Sequence, residues 1–94
     1  MKLVWSPLSR TQLLEAFAYI AERNHDAALK VYERILERAE SLMMLPELGS
    51  PGREPGTREL VVSGTRYKFI MVYRVANDTI QIAAVWHGRQ SRDE

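Results

Sequence analysis

The amino-acid sequence predicts an α+β fold in which an antiparallel β-sheet is covered on one side by a helical hairpin. In the first half of the chain, apolar residues in two stretches recur every three or four positions, which is the period of an α-helix. The last third holds two segments, 67–75 and 79–86, with the two-residue alternation of β-strands. A short β-prone segment precedes the helices. The predicted order is therefore an N-terminal strand, an antiparallel helical hairpin and a three-stranded antiparallel β-unit.

Length and composition predict one small globular domain over residues 1–94. Hydrophobic residues make up 46% of the chain and charged residues 27%, which is typical of a folded protein. The sequence has no cysteine, which excludes disulfides, thiol nucleophiles and cysteine-based zinc sites. No apolar run reaches membrane-spanning length, and the first residues lack the hydrophobic region of a signal peptide. We therefore expect a cytoplasmic protein that contacts no membrane.

The first elements are a strand over residues 2–5 and a helix that follows it. Ser6 suits the N-cap of this helix, and Pro7 suits its first position because the N–H there has no intrahelical partner. Asn24 is interpreted as the residue that ends the helix. The apolar residues that predict its buried face are Leu14, Phe17, Ala18 and Ala21, widened by Leu13, Ala16 and Ile20.

A second helix is predicted after Asp26, whose carboxylate suits an N-cap and the positive end of a helix. The helix should end by Leu45, because Pro46 disfavours helical angles in the residue before it. A very short connector between the two helices makes them an antiparallel hairpin. The residues of the predicted apolar stripe are Ala28, Val31, Tyr32, Ile35, Ala39, Leu42 and Met43.

The second half of the chain begins with a loop and continues as strands. Residues 46–56 contain three prolines and three glycines, which predicts a loop that wraps the domain. The next strand spans residues 58–62 and ends in a turn at 63–65. Asn77 and Asp78 then join the two longest strands as a β-hairpin.

Strict alternation along the two longest strands assigns their side chains to two faces of the sheet. The bulkier set is predicted to pack under the helices and consists of Phe69, Met71, Tyr73, Val75, Ile80, Ile82, Ala84 and Trp86. The opposite set mixes apolar, small and basic residues and consists of Lys68, Ile70, Val72, Arg74, Gln81, Ala83, Val85, His87 and Arg89. No other segment is long enough to cover this second face, so we expect a partner to bind there.

Charge is distributed unevenly along the chain. Residues 1–56 carry seven Lys/Arg against eight Asp/Glu, whereas residues 57–92 carry six against two. The strand half is therefore the basic half. This excess could attract an acidic partner, but it is small for a protein that must hold a large RNA surface.

The order of several short motifs resembles that of the RelE/ParE superfamily of bacterial toxins, over essentially the whole chain. The motifs are Leu45-Pro46-Glu47-Leu48-Gly49, Pro51-Gly52-Arg53, Gly56-Thr57-Arg58-Glu59-Leu60, Val72-Tyr73-Arg74-Val75 and Val85-Trp86-His87-Gly88-Arg89. The resemblance implies the toxin of a type II toxin–antitoxin system, neutralised by a cognate antitoxin that binds it directly. It also implies a hetero-oligomer with that antitoxin.

The superfamily divides by target. ParE-like members poison DNA gyrase, whereas RelE-like members cleave messenger RNA on the ribosome. Ile70 stands where RelE proper carries an arginine, and no tyrosine follows Arg89 at the end of the chain. The resemblance is therefore closer to ParE, and a gyrase inhibitor is the leading prediction. The alternatives are a ribosome-dependent mRNA endoribonuclease of RelE type and a non-toxic binding module with the same fold.

Candidate functional residues follow from these readings. An endoribonuclease needs a proton acceptor, a proton donor and cations at the scissile phosphate. His87, Arg89 and Arg58 are the catalytic candidates for that alternative, with Tyr67 or Glu59 as a second proton-transfer group. No cofactor and no metal site are predicted, since two histidines far apart in sequence do not make one. The predicted partner-binding residues are Arg58, Lys68, Ile70, Val72, Arg74, Ala83, Val85, His87 and Arg89.

Overall fold

The computed structural model of the protein describes residues 1–88. Its elements in chain order are β1 (Lys2–Trp5), α1 (Pro7–Ala21), α2 (His25–Met44), β2 (Ser50–Pro51), β3 (Arg58–Val62), β4 (Phe69–Ala76) and β5 (Thr79–His87). The predicted α+β architecture and the predicted order of its elements are confirmed. Among residues 1–88, no helix is long and apolar enough to cross a membrane.

The five strands form one sheet in the order β1-β5-β4-β3-β2. β3, β4 and β5 run antiparallel in succession, as the predicted three-stranded unit requires. β1 lies parallel to β5, with Trp5 opposite Ile82 at its end. β2 adds two residues antiparallel to β3 at the other edge. It lies inside the segment that was predicted to be a loop, so the sheet is wider than expected.

One hydrophobic core lies between the two helices and one face of the sheet. Its members come from both helices and from β3, β4 and β5. Full burial of one large apolar side chain contributes about 1.5–3 kcal/mol to the free energy of unfolding. These residues therefore supply the main stabilisation of the fold. The largest fully buried apolar and aromatic side chains are Ile20, Ile35, Leu42, Met71, Tyr73, Ile80 and Ile82.

α1 begins as predicted but buries a different face. Ser6 is the N-cap and accepts a hydrogen bond from the Ser9 N–H at 3.0 Å, with Pro7 at the first helical position. Leu14, however, is 62% exposed and Ala18 is also exposed, so their assignment to the buried face was wrong. The buried face is centred on Leu13 and Ile20 and includes Ser9. Because Ser9 is polar, the apolar pattern did not mark it as buried. The predicted buried face was therefore rotated about the helix axis relative to the real one.

The connection between the helices is tighter than predicted. Asn24 does not end α1, which stops at Ala21. It is the N-cap of α2, and its side-chain oxygen accepts from the Ala27 N–H at 2.9 Å. Asp26 lies in the first turn of α2 rather than at its cap. Its carboxylate still lies at the positive end of the helix dipole, which is the favourable end for a negative charge.

The predicted stripe and end of α2 are confirmed. Its buried residues are Ala28, Val31, Ile35, Ala39 and Leu42. Tyr32 and Met43 are partly buried and pack against the core. The helix ends at Met44 with Leu45 as its C-cap, directly before the proline that the prediction used.

Buried Tyr73 anchors the loop that follows α2. Its hydroxyl donates to the Pro46 carbonyl at 2.7 Å and accepts from the Gly49 N–H at 2.9 Å. A Cβ at Gly49 would lie 2.8 Å from the Glu59 carbonyl and 2.9 Å from the Tyr73 ring. The close approach of this loop to the sheet therefore requires glycine.

A β-bulge interrupts the hairpin of β4 and β5. The turn forms at Asn77 and Asp78, both at positive φ (52° and 59°), as a tight hairpin turn requires. From the turn onward the pairing is regular up to Tyr73 opposite Ile82, but Val72 then lies opposite Ala84. Ala83 is therefore an extra, unpaired residue in β5.

The bulge reverses the faces of β5 beyond Ile82. Val85 lies opposite Met71, is 3% exposed and belongs to the core. Trp86 lies opposite Ile70, on the side away from the helices. Strict alternation had placed Trp86 under the helices and Val85 on the opposite face. Both assignments were wrong, because one extra residue moves every later side chain to the other face.

Candidate functional site

The face of the sheet that the helices leave uncovered is the candidate functional site, and we call it the open face. The register assigns to it the side chains that alternate with the helix-facing ones on four strands. These are Val4 of β1, Glu59 and Val61 of β3, Ile70, Val72 and Arg74 of β4, and Gln81, Ala84 and Trp86 of β5. Ala83, at the bulge, lines a cavity on this face together with Val72, Ala84 and Trp86.

A row of apolar side chains crosses one end of the open face. Trp86 lies opposite Ile70, and Ile70 lies opposite Val61. Val61 is 50% exposed and the other two are half-buried. Apolar neighbours across strands form a contiguous surface rather than scattered contacts. Such a surface is typical of a protein–protein interaction site.

The predicted set of partner-binding residues is only partly brought together. Ile70, Val72 and Ala83 lie on the open face with Arg74, as predicted. Trp86 and Val61 were missed by the sequence analysis, the first because of the bulge. No sequence signal placed the side chain of Val61, since strand β3 was assigned without faces.

Val85 and His87 were wrongly placed on the open face. The bulge shifts the register of β5, so both side chains lie on the helix side of the sheet. There they line a cavity of about 490 Å³ beside α1. The His87 ring packs edge-on against Phe69 at 5.1 Å between ring centroids. Tyr67 is its second aromatic neighbour, at 6.1 Å.

Charged groups of the loop before β3 border the other end of the open face. Arg74 Nη2 lies 3.8 Å from Glu54 Oε1, and its Nη1 donates to the Pro55 carbonyl at 3.3 Å. The Arg53 N–H donates to Glu59 Oε2 at 3.1 Å. Exposed pairs of this kind contribute at most about 1 kcal/mol, so they set the charge pattern of the rim more than the stability.

Arg58 does not lie on the open face. It pairs with Tyr73, whose side chain points to the core, and Arg58 Nη1 donates to the Gly49 carbonyl at 2.7 Å. The guanidinium is thus part of the network that fastens the loop after α2. From the sequence, Arg58 was predicted to bind a partner or, in the nuclease alternative, to take part in catalysis.

The predicted partner-binding residues Arg58, Arg74 and His87 do not lie together at one end of the sheet. His87 lies opposite Phe69, whereas Arg58 lies opposite Tyr73 and Arg74 is one residue further along β4. Four residues of strand separate the two positions by about 13 Å. Lys68, which is exposed, lies next to Phe69 at the His87 end. Arg89, the remaining predicted member, lies outside the described residues.

The remaining candidate groups divide between the two faces. Glu59 lies opposite Val72 on the open face, on the other side of the sheet from His87. Tyr67 lies beside His87, so the two proton-transfer candidates of that end are neighbours. Within residues 1–88 no group of three His, Cys, Asp or Glu side chains is arranged to hold a metal ion.

Comparison with known proteins assigns the family. The family model described as the ParE toxin of the type II toxin–antitoxin system parDE matches residues 3–92. The chain belongs to the ParE toxin family. This confirms the superfamily that the sequence motifs indicated, and it identifies the protein as the toxin type of a type II toxin–antitoxin system.

Individual proteins similar to this chain carry the names of toxins or of a toxin–antitoxin system. The protein Y4kP of Sinorhizobium fredii, named as a toxin, is 36% identical over 89 residues, which cover 95% of this chain and 90% of that protein. Toxin RelE3 of Caulobacter vibrioides is 31% identical over 86 residues, covering 92% of each. A structure titled as the chromosomal ParDE system from P. aeruginosa superposes with a TM-score of 0.79 at 27% identity, covering 93% of this chain and 95% of that chain.

Proposed function

We propose that this ParE-family toxin inhibits DNA gyrase and that a cognate antitoxin neutralises it by covering the open face. The observation that carries the gyrase proposal is the match to the ParE family model over residues 3–92. ParE-like members of the superfamily poison gyrase, and Ile70 in place of the RelE arginine agrees with that branch. The toxin would then act by binding, without a catalytic centre of its own.

The spacing of the candidate nuclease groups supports the same proposal. Cleavage through a 2′-hydroxyl needs its proton acceptor, proton donor and phosphate-binding cations within a few ångströms of one phosphodiester. Arg58 lies about 13 Å along the sheet from His87 and is engaged by the Gly49 carbonyl. Glu59 lies on the other face. Among residues 1–88, Arg58, Glu59 and His87 therefore do not converge on one phosphodiester.

One contact favours the endoribonuclease as a second candidate. Tyr67 and His87 are ring neighbours at 6.1 Å, and exposed Lys68 lies between Tyr67 and Phe69 in sequence. A histidine and a tyrosine can in principle exchange protons with a bound RNA. The cavity that His87 lines lies beside α1 rather than on the open face. Substitutions of Tyr67 and His87 therefore distinguish an endoribonuclease from a gyrase inhibitor.

Purified toxin assayed against both targets distinguishes the candidates. With gyrase, ATP and plasmid DNA, we expect loss of supercoiling and accumulation of cleaved DNA. With programmed ribosomes, we expect no codon-specific cuts in a primer-extension assay. Tyr67→Phe should poison gyrase as the parent does. Cuts in mRNA that disappear in Tyr67→Phe and His87→Ala would contradict the proposal and establish the ribonuclease.

For the antitoxin, the open face offers an apolar row bordered by charges of both signs. Trp86, Ile70 and Val61 provide the row, and Arg74 with Glu54 lies at the far rim. This pattern suits an amphipathic segment whose apolar side chains lie on the row while its polar side chains meet the rim. A segment that is unfolded when free and orders on the toxin would match such a surface. The complex is then a hetero-oligomer.

Matched charge insertions on two surfaces test the antitoxin proposal. Val72→Glu adds a charge to the centre of the open face, and Leu14→Glu adds one to an equally apolar but exposed site on α1. We expect Val72→Glu to weaken the complex by about 2–4 kcal/mol, because a desolvated unpaired charge is costly. Leu14→Glu should bind as the parent does. The reverse ranking, measured by calorimetry on folded proteins, would move the antitoxin to the helical hairpin.

A further inference from the structure

The outer edge of β5 changes its partner half-way along the strand. β1 pairs with β5 up to Trp5 opposite Ile82, and the chain then turns into α1. The second half of β5 therefore has no strand on that edge. Unpaired backbone groups at a buried edge are costly and normally find a substitute partner.

Three polar side chains of α1 take the place of the missing strand, and we call Ser6, Ser9 and Gln12 the α1 ladder. They recur at intervals of three, so they lie along one side of the helix. The Ser6 hydroxyl donates to the Ala83 carbonyl at 2.9 Å, and the Ser9 hydroxyl donates to the Ile82 carbonyl at 3.1 Å. Gln12 Oε1 accepts from the Val85 N–H at 2.7 Å. The contacts thus span the bulged residue from both sides.

The Gln12 contact is specific for the bulged register. Backbone groups of a regular strand alternate between its two edges. The Ile82 carbonyl points to the α1 edge, where Ser6 N–H also donates to it at 2.9 Å. Without a bulge, the N–H of Ala84 would point to this edge and that of Val85 would point to β4. Only the extra residue at Ala83 brings the Val85 N–H to Gln12.

We propose that Gln12, supported by Ser6 and Ser9, is a positioning residue that selects the bulged register and thereby presents Trp86 on the open face as the aromatic anchor for the antitoxin. In the regular register, Trp86 would lie opposite Phe69 under the helices and Val85 would take its place outside. This inference rests on the proposed function of the open face. It adds a residue of α1, on the other side of the sheet, to the determinants of that surface.

Trp86 has the properties of an anchor. It is half-buried, lies opposite Ile70 and lines the open-face cavity with Ala84 and Val72. Large aromatic side chains in partly desolvated positions dominate the binding energy of protein interfaces. A change of register would replace this indole by the smaller Val85 side chain. Antitoxin affinity should therefore depend on the register.

The test compares Gln12→Leu, which removes the acceptor at similar volume, with Gln12→Glu, which keeps a carboxylate oxygen in its place. In Gln12→Leu we expect the Val85 amide to exchange with solvent at least about tenfold faster and the antitoxin to bind at least about tenfold more weakly. Gln12→Glu should restore both properties. Ser9→Ala should change them in the same direction and serves if Gln12→Leu does not fold.

A double variant separates positioning from general loss of stability. Trp86→Ala should weaken antitoxin binding without changing Val85 exchange, and adding Gln12→Leu to it should weaken binding little further. Additive losses, or unchanged Val85 exchange in Gln12→Leu, would contradict the positioning role. Full affinity in Trp86→Ala would instead contradict the open face as the antitoxin site, while the exchange result would still stand on its own.

Discussion

The two halves of β5 follow different rules of side-chain placement. In residues 79–82 the strand lies between β1 and β4, and Ile80 and Ile82 are fully buried, as alternation predicts. In residues 83–87 it lies between the α1 ladder and β4, and Val85 is buried while Trp86 faces out. The same strand thus changes its pattern where its outer neighbour changes from a strand to a helix.

The difference shows which residues determine the register in each half of β5. Residues 83–86 read Ala-Ala-Val-Trp, with no polar side chain to mark the solvent side. In the first half, polar Gln81 lies between two isoleucines and fixes the phase. In the second half, the alternation of side chains between the two faces is set by Ser6, Ser9 and Gln12, more than 70 residues earlier in the chain. Long-range polar contacts decide the register that the local pattern leaves open.

The largest expected effect separates Val85 from Ala83, which strict alternation puts on the same face. Val85→Asp places a carboxylate in the core and should lower the free energy of unfolding by about 4 kcal/mol or more. Ala83→Asp, at the half-exposed bulge, should cost about 1 kcal/mol or less. Urea denaturation of both variants measures the difference. Equal losses would mean that the second half of β5 follows the regular register.

The next effect compares Ile82 with Trp86, which strict alternation also groups together. Ile82→Ala removes a fully buried side chain and should cost about 3 kcal/mol. Trp86→Ala removes a larger side chain that lies on the open face, so it should cost less than about 2 kcal/mol. Thermal and urea unfolding provide the comparison. A greater loss of stability in Trp86→Ala than in Ile82→Ala would mean that the indole is buried in the core.

Removal of one rung of the α1 ladder should have a moderate effect. Ser6→Ala deletes the N-cap acceptor of α1 and the hydrogen bond to the Ala83 carbonyl, so we expect a loss of about 1–2 kcal/mol. Ser63→Ala, at an exposed serine in the turn after β3, is the matched control and should be neutral. If Ser6→Ala were as stable as the control, the hydrogen bond from Ser6 to the edge of β5 would contribute nothing to stability.

The smallest effect concerns the turn that sets the register of the first half. Asp78 has a φ of 59°, which a side chain with Cβ tolerates only at some cost. Asp78→Gly removes that strain, but it also raises the entropy of the unfolded state, which offsets part of the gain. Stability should therefore rise by less than about 1 kcal/mol. The N-terminal amine lies 3.7 Å from the exposed Asp78 carboxylate, a pair of little weight. A clear destabilisation would mean that this contact outweighs the turn.

Most of the fold could be predicted because its signals are local. The stripe of α2, the cap at Ser6 and the hairpin at Asn77 and Asp78 each depend on residues within a few positions of one another. The motifs that resemble the RelE/ParE superfamily were also readable, and the family model confirms them. Local periodicity is a strong signal when apolar and polar positions are cleanly separated.

The faces of the candidate site could be predicted only in part. Leu14 looked buried because Ser9, a polar residue, occupies the core-facing side of α1 through its bond to the Ile82 carbonyl. Arg58 looked like a surface cation, but its partner is a backbone carbonyl that only the folded loop brings near. In each case a polar group is satisfied by a distant backbone group. Such pairings depend on tertiary structure and leave no periodic trace in the sequence.

The most direct test of the account is thiol labelling of two adjacent positions with and without saturating antitoxin. The chain has no cysteine, so Trp86→Cys and His87→Cys each introduce a unique thiol. We expect the antitoxin to slow labelling at position 86, on the open face, and to leave labelling at position 87, beside α1, unchanged. Co-elution of each variant with the antitoxin confirms that the complex has formed. Protection of position 87 with free reaction at position 86 would contradict both the register of β5 and the open face as the antitoxin site.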